Sequence, residues 1–223
     1  KLALEGFMKN ENSVKIELKD KIIPFLDKCV LPDKIELVMD DIEADEDAKK
    51  TTRTNDQKVL RRFICAHQLR RFVGLHKIAT SDELISLTRH LIEVYQQCGP
   101  LNEGGDENAR EVQHGDDLLL LASEILTNEI REKNNNTFAT IEEALVLLAY
   151  GTEKSPCNFQ IKLQMMSLYS KLQSVNSSVE LYMSLKVKHI QHDTMSYLIL
   201  NDVLELGEFE IAKNITNNII KFH

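Results

Sequence analysis

Three side chains near the end of the sequence have the spacing of a metal site. His189, His192 and Asp193 follow one another at i, i+3 and i+4, so a single helix would bring two imidazoles and a carboxylate to one side. Zinc accepts such ligands, and an independent enzyme built on them is one hypothesis. A competing interpretation makes Asp193 the cap of a helix predicted over 194–206, because Asp is favoured at that position. Capping agrees better with the repeat pattern of the chain, so we predict that no metal binds here.

Other sequence patterns give little support for catalysis. The sequence contains no P-loop, GxSxG or HExxH motif, and residues 114–117 (HGDD) are typical of a loop followed by a helix cap. The segment 71–76 (RFVGLH) comes close to the acetyl-CoA-binding signature of GNAT acetyltransferases but ends in His. It also falls inside a predicted helix, whose backbone N–H groups are not free to hold a phosphate. We therefore predict no catalytic residue and no cofactor.

The composition indicates a helical protein of the cytoplasm. The 223 residues are 43% hydrophobic and include only eight Gly and four Pro. The four Cys are scattered without the spacing of a zinc site, which is typical of reduced thiols. No apolar run approaches the roughly 18 residues of a membrane span. A net charge of −8 does not favour DNA as a partner, and we predict neither a DNA nor a membrane partner.

Small residues recur at a fixed interval in the second half of the chain. Ala144, Ser178 and Ala212 are 34 residues apart, which is the period of the tetratricopeptide helix-turn-helix repeat. A small residue is needed where the second helix of such a repeat crosses the first at close range. The residue three positions before each of them is apolar: Ile141, Val175 and Phe209.

Single positions of the repeat pattern also match. Pro156 stands where a proline ends one unit, Tyr169 supplies the aromatic residue of a first helix, and Gly207 stands at a turn between paired helices, where we predict a positive φ. Met166 and Leu200 stand where the repeat has glycine, and the chain has no Trp. We therefore predict degenerate repeats. The predicted fold is all-α, with antiparallel helix pairs stacked as a tetratricopeptide-like right-handed superhelix, an α-α solenoid.

The first half is predicted to hold further helices of the same solenoid. We expect one helix over 56–78 capped by Asp56, a second one capped by Ser81 or Asp82 that ends near residue 98, and a loop over 99–115. Asp116 then begins an apolar helix. The predicted organisation is residues 1–115 with an acidic connector and this loop, and residues 116–223 with the degenerate repeats.

The helix predicted over 56–78 is apolar on two sides, which favours a position between neighbouring helices. It also carries four arginines, for which two interpretations stay open: contact with ribosomal RNA, or ion pairs with the acidic connector at 40–47. The net charge of the chain favours the ion pairs. The four are Arg61, Arg62, Arg70 and Arg71.

Several segments of the chain resemble one known family. The heptapeptide 188–194 (KHIQHDT) is the most specific of them, and residues 1–55 match least. The others are 141–145, 153–163, 168–169 and 179–187, with looser likeness at 68–76 and 114–117. These segments resemble the auxiliary, non-catalytic subunit of the NatB N-terminal acetyltransferase, and an insect member in particular. The chain begins with Lys1, and we expect it to be an interior piece of a longer repeat protein.

The resemblance implies a scaffold and not an enzyme. In this family a long tetratricopeptide-like superhelix wraps a separate GNAT catalytic subunit and helps to place it at the ribosome. The complex acetylates nascent chains that begin Met-Asp, Met-Glu, Met-Asn or Met-Gln. The catalytic and acetyl-CoA residues belong to the partner, so none is assigned here. The alternative function is a generic helical-repeat adaptor that binds a peptide in its groove.

Overall fold

The computed structural model describes residues 46–102, 112–134, 137–185 and 195–220, and nearly all of these are helical. Within those ranges there is no β-strand, so the all-α prediction is confirmed. Ten α-helices, a 3₁₀ turn at Gly99–Asn102 and a π-helical segment at Ile125–Ile130 follow one another there. The helices are α1 (Glu46–Phe72), α2 (Leu75–Ile78), α3 (Ser81–Gln97), α4 (Asp116–Glu124), α5 (Arg131–Asn134), α6 (Thr137–Lys154), α7 (Phe159–Lys171), α8 (Val175–Ser184), α9 (Tyr197–Glu205) and α10 (Phe209–Ile220).

The second half consists of helices joined by very short turns. Residues 155–158 connect α6 to α7, 172–174 connect α7 to α8, and 206–208 connect α9 to α10. Connections this short make packed neighbours run antiparallel. The Asn158 side chain caps α7 by accepting hydrogen bonds from the backbone N–H groups of Gln160 and Ile161. Pro156 lies in the turn just before it.

Two of these turns are copies of each other at the 34-residue interval. Gly207 has the predicted positive φ, 77°, and Gln173, 34 residues earlier, has a φ of 56°. The backbone N–H of Ser174 donates to the Tyr169 carbonyl at 2.9 Å, and that of Glu208 donates to the Val203 carbonyl at 3.0 Å. These bonds close the same Schellman motif at the ends of α7 and α9. The repeat period is therefore visible in the hydrogen bonds of the backbone.

The small residues of the repeat pattern are buried. Ala144 is 0% exposed, Ser178 is 2% exposed and Ala212 is 5% exposed, and Tyr169 packs partly buried against the larger core. Their role as repeat positions stays a prediction. The larger core draws residues from α1 through α7, and a second core joins α7 to α10. The larger core thus crosses residue 115, and the division into 1–115 and 116–223 also stays a prediction.

The structure corrects three expectations about the first half. Asp56 does not cap a helix, because α1 begins ten residues earlier and Asp56 lies buried within it. The predicted helix 56–78 is broken at Gly74, whose φ of 83° ends α1 and starts the single turn α2. Thr80, and neither Ser81 nor Asp82, caps α3 through a capping box with Glu83.

The second apolar side of α1 is only partly covered by the described part of the chain. Leu69 is 47% exposed and Phe72 is 71% exposed, whereas Leu60 and Phe63 on the opposite side are fully buried. Ala66 on the second side is 3% exposed and Val59 packs against the larger core, so the position of α1 between neighbouring helices stays a prediction.

Asp116 ties the start of α4 to the turn between α6 and α7. As predicted, it is the first residue of its helix, but its side chain is fully buried and accepts bonds from Ser155 Oγ at 3.1 Å and Asn158 Nδ2 at 2.7 Å. The backbone N–H of Gln113 donates to the same carboxyl. Burial raises the pKa of Asp116, while these hydrogen bonds oppose the rise. The contact sets the position of α7 relative to α4, the two helices that form the groove described next.

Candidate docking groove

A groove lies between the α4–π segment and α7. Its volume is about 490 Å³. The walls combine leucine side chains with amide, hydroxyl and charged groups. The lining residues are Leu120, Glu124, Thr127, Asn128, Gln160, Leu163, Gln164, Ser167, Leu168 and Lys171.

A second cavity continues the groove toward α9. It has a volume of about 280 Å³ and shares Leu163 and Ser167 with the first. Tyr197, which is 67% exposed, and Asp202 line its far side. The two cavities therefore form one surface built from α4, the π segment, α7 and α9. We call this surface the groove face. The alternate helices α6, α8 and α10 contribute no residue to either cavity.

The π-helical segment forms part of the groove wall. Each residue inserted into the helix leaves a carbonyl without its usual partner. Here the Thr127 hydroxyl donates to the Ser123 carbonyl at 2.8 Å, and Gln164 Nε2 donates to Ser123 Oγ at 2.6 Å. A side chain of α7 thus fixes the segment across the groove. Neither the repeat pattern nor any motif of the sequence indicates this π-helix.

An ion-pair cluster holds α1 against this wall. The Arg71 guanidinium donates to the carboxylates of Glu124 and Glu129, the second at 3.2 Å. Arg71 therefore pairs with the α4–π segment. The acidic connector lies mostly outside the described residues, so ion pairs between it and the arginines stay a prediction. Arg61 and Arg62 are exposed. Contact of the arginines with RNA stays a prediction.

Lys171 stands at the open end of the groove. It is the last residue of α7, and the positive charge that acts on it comes from Arg131, the first residue of α5. Partial burial, and secondarily the positive charge of Arg131, lower the pKa of the Lys171 ammonium. Two cations thus repel each other at this end.

Three histidines lie together where α1, α2 and α3 meet. The ring centroids of His67 and His76 are 6.5 Å apart, and the Phe63 ring contacts both His67 and His90. Burial, and secondarily neighbouring positive charges, lower the pKa of His67 to about 3 and that of His76 to about 4. Both imidazoles are therefore neutral at pH 7. No sequence pattern indicates this cluster, because the three residues come from separate helices.

The structure does not bring together a metal site in the ranges it describes. No group of three or more His, Cys, Asp or Glu side chains there is arranged to hold an ion. His189, His192 and Asp193 lie outside the described residues, as do residues 186–194 as a whole, so their predicted lack of metal stays a prediction.

The segment 71–76 differs from the helix predicted there. Gly74 breaks the helix, yet Arg71 is bound to two carboxylates and His76 is buried. The α2 turn that follows has only four residues. Within the segment 71–76, Arg71 is thus engaged in ion pairs and His76 in packing, while Phe72 is exposed. In the described ranges, no helix is both long enough and apolar enough for a membrane span.

Comparison with known proteins identifies the family of this chain. A profile of the family described as the N-acetyltransferase B complex (NatB) non catalytic subunit matches residues 18–223. The human N-alpha-acetyltransferase 25, NatB auxiliary subunit, is 35% identical over 167 residues, which are 75% of this chain and 17% of the human protein. The Phagocyte signaling-impaired protein of Drosophila pseudoobscura pseudoobscura is 27% identical over 167 residues, which are 75% of this chain and 17% of that protein. The N-terminal acetyltransferase B complex auxiliary subunit of Arabidopsis thaliana is 27% identical over 142 residues, 64% of this chain and 13% of that protein.

An all-α stack of short-linked helix pairs with an open groove is typical of scaffolds that bind other proteins. The chain belongs to the family of non-catalytic NatB subunits. It spans 17% of the length of the human and insect relatives that it matches.

Proposed function

We propose that this chain is part of a non-catalytic scaffold that binds the GNAT-type catalytic subunit of NatB. The scaffold promotes acetylation of nascent chains that begin Met-Asp, Met-Glu, Met-Asn or Met-Gln, acts in the cytoplasm and helps to place the enzyme at the ribosome. The observation that carries the proposal is the family match over residues 18–223. No residue of this chain is assigned a step in acetyl transfer, and none is assigned to acetyl-CoA.

The groove face supports a binding role. Its wall is braced by the Gln164–Ser123 bond and by the Arg71 ion pairs, and all of these contacts form within this chain without a partner. A preformed surface loses less entropy on binding than one that must first fold. Tetratricopeptide-like repeats that bind partners in this way form a superhelix, and we propose that the degenerate repeats here, with Ala144, Ser178 and Ala212 at the helix crossings, do the same.

Acetyl transfer by purified components tests the proposal. Peptides that begin Met-Asp and Met-Glu are incubated with acetyl-CoA and with full-length auxiliary chain alone, catalytic subunit alone, or both. We expect no turnover by the auxiliary chain, and more turnover by the pair than by the catalytic subunit. Turnover by the auxiliary chain alone would contradict the non-catalytic role. Failure of the two proteins to associate would favour the second candidate, a generic adaptor that binds peptides in its groove.

A further inference from the structure

The open end of the groove carries positive charge that the described residues do not neutralise. Neither the Lys171 ammonium nor the Arg131 guanidinium has a hydrogen bond or an ion pair within that part of the chain. Their mutual repulsion is a cost in the free protein. An anionic group placed between them would remove that cost.

The acidic residues of the groove are already engaged. Glu124, which lines the groove, pairs with Arg71, and so does Glu129 of the π segment. Glu132, the acidic neighbour of Arg131 on α5, is exposed and does not line the groove. The charge that the groove offers to a bound partner is therefore positive at its Lys171 end.

The remainder of the groove suits a polypeptide. Asn128 and Gln160 present amide side chains that both donate and accept, as peptide groups require. Leu120 and Leu163 supply an apolar surface beside them. A volume of about 490 Å³ holds a segment of several residues and exceeds what a single ion needs.

We propose that this groove receives an acidic segment of the catalytic subunit, with an Asp or Glu carboxylate held between Lys171 and Arg131 and an apolar neighbour packed on Leu120 and Leu163. The inference rests on the proposed function, because the segment belongs to the partner named there. Charge complementarity favours an acidic segment, because a basic segment would bring a third positive charge next to Lys171 and Arg131.

Zero-length crosslinking gives a direct readout. A carbodiimide joins a lysine amine to a carboxylate only when the two are in contact. With the purified complex of full-length auxiliary chain and catalytic subunit, we expect a crosslink between Lys171 and an Asp or Glu of the catalytic subunit in the peptide mass spectrum. We expect Lys213, an exposed lysine on α10, to give none. An intact complex in which Lys171 crosslinks to no carboxylate of the partner would contradict the proposal.

Charge variants provide the second test. We expect Lys171→Glu combined with Arg131→Glu to raise the dissociation constant of the complex at least about tenfold, and Lys171→Arg to leave it within about twofold. Lys213→Glu is the matched control for a charge reversal on the surface. Equal binding by the double variant and this control would overturn the groove assignment while leaving the proposed function in place. If the wild-type proteins do not associate at all, the proposed function itself fails. Helical circular dichroism checks that each variant is folded.

Discussion

Of three aligned positions 34 residues apart, two are buried and the third is exposed. Ile141 and Val175, three residues before the small residues Ala144 and Ser178, are 1% and 9% exposed. Phe209, the larger residue at the equivalent place, is 69% exposed. Residue type does not explain the difference, since the most apolar surface is the one left open. Phe209 belongs to the last helix pair that the structure describes, whereas described helices follow the other two residues along the chain.

The residues four positions after Ala144, Ser178 and Ala212 show the same order of burial. Leu148 is 0% exposed and Tyr182 is 1% exposed, whereas Thr216 is exposed. The stability of a stacked repeat comes partly from its own helices and partly from its interfaces with neighbours. Substitutions at equivalent positions should therefore cost more in α6 than in α10.

Truncation of Leu148 and of Thr216 to Ala gives the largest expected difference in the free energy of unfolding. We expect Leu148→Ala to lower the free energy of unfolding by about 2 to 5 kcal/mol, because it leaves a cavity in the larger core. Thr216→Ala should change it by less than about 0.5 kcal/mol, because the side chain is exposed. Urea denaturation of the two variants measures both values, and equal losses would disprove a dependence on neighbours.

Acid should weaken the junction of α1, α2 and α3 more than the helix pairs. His67 and His76 are neutral and buried when folded, with pKa values lowered to about 3 and about 4, whereas the unfolded chain binds their protons near the ordinary histidine pKa of 6.5. Their stabilisation is complete above pH 6.5 and is lost as the pH falls toward 4. We expect a loss of the order of 1 to 3 kcal/mol per pH unit.

Denaturation midpoints measured from pH 7.5 to 5 test this dependence. His67→Phe should make the curve shallower, because Phe cannot bind the proton and keeps the contact with Phe63. An unchanged slope in this variant would show that other groups cause the acid sensitivity.

The stability cost of overpacking should be larger at Ala144 than at Ala212. Ala144→Phe is expected to cost about 3 kcal/mol and Ala212→Phe about 1 kcal/mol, within the range for inserted core volume. Ala144 is enclosed by the larger core, while Ala212 belongs to the last described pair. Thermal denaturation compares the two variants, and a larger loss at Ala212 would reverse the proposed order.

The smallest difference between a variant and its control is expected at the turn of α9 and α10. Gly207→Val should cost about 1 to 2 kcal/mol, because a branched residue is strained at a φ of 77°. Gly99→Ala is the control: its φ is not positive and an added Cβ would meet nothing within 4 Å. If both substitutions are neutral, the left-handed turn is not a constraint on this chain.

The sequence predicts the 34-residue interval better than it predicts the contacts between side chains of different helices. The 34-residue interval predicts the left-handed turn at Gly207 but not its copy at Gln173, because Gln has no preference for positive φ. The helix start at Asp116 is a local signal, whereas the bonds of Asp116 to Ser155 and Asn158 join residues about forty positions apart. The bond from Gln164 to Ser123, just before the π-helical segment, likewise joins residues of different helices and has no local signal in the sequence.

Hydrogen–deuterium exchange of the full-length auxiliary chain, free and bound to the catalytic subunit, tests whether the groove face holds the partner. We expect slower exchange in α7 and α9 of the complex, together with the α4–π segment, and unchanged exchange in α6 and α8. The helices α6 and α8 pack next to α7 and α9 in the same stack, so their exchange rates serve as the internal reference. Unchanged exchange throughout residues 116–220, or protection confined to α6 and α8, would contradict a partner bound on the groove face.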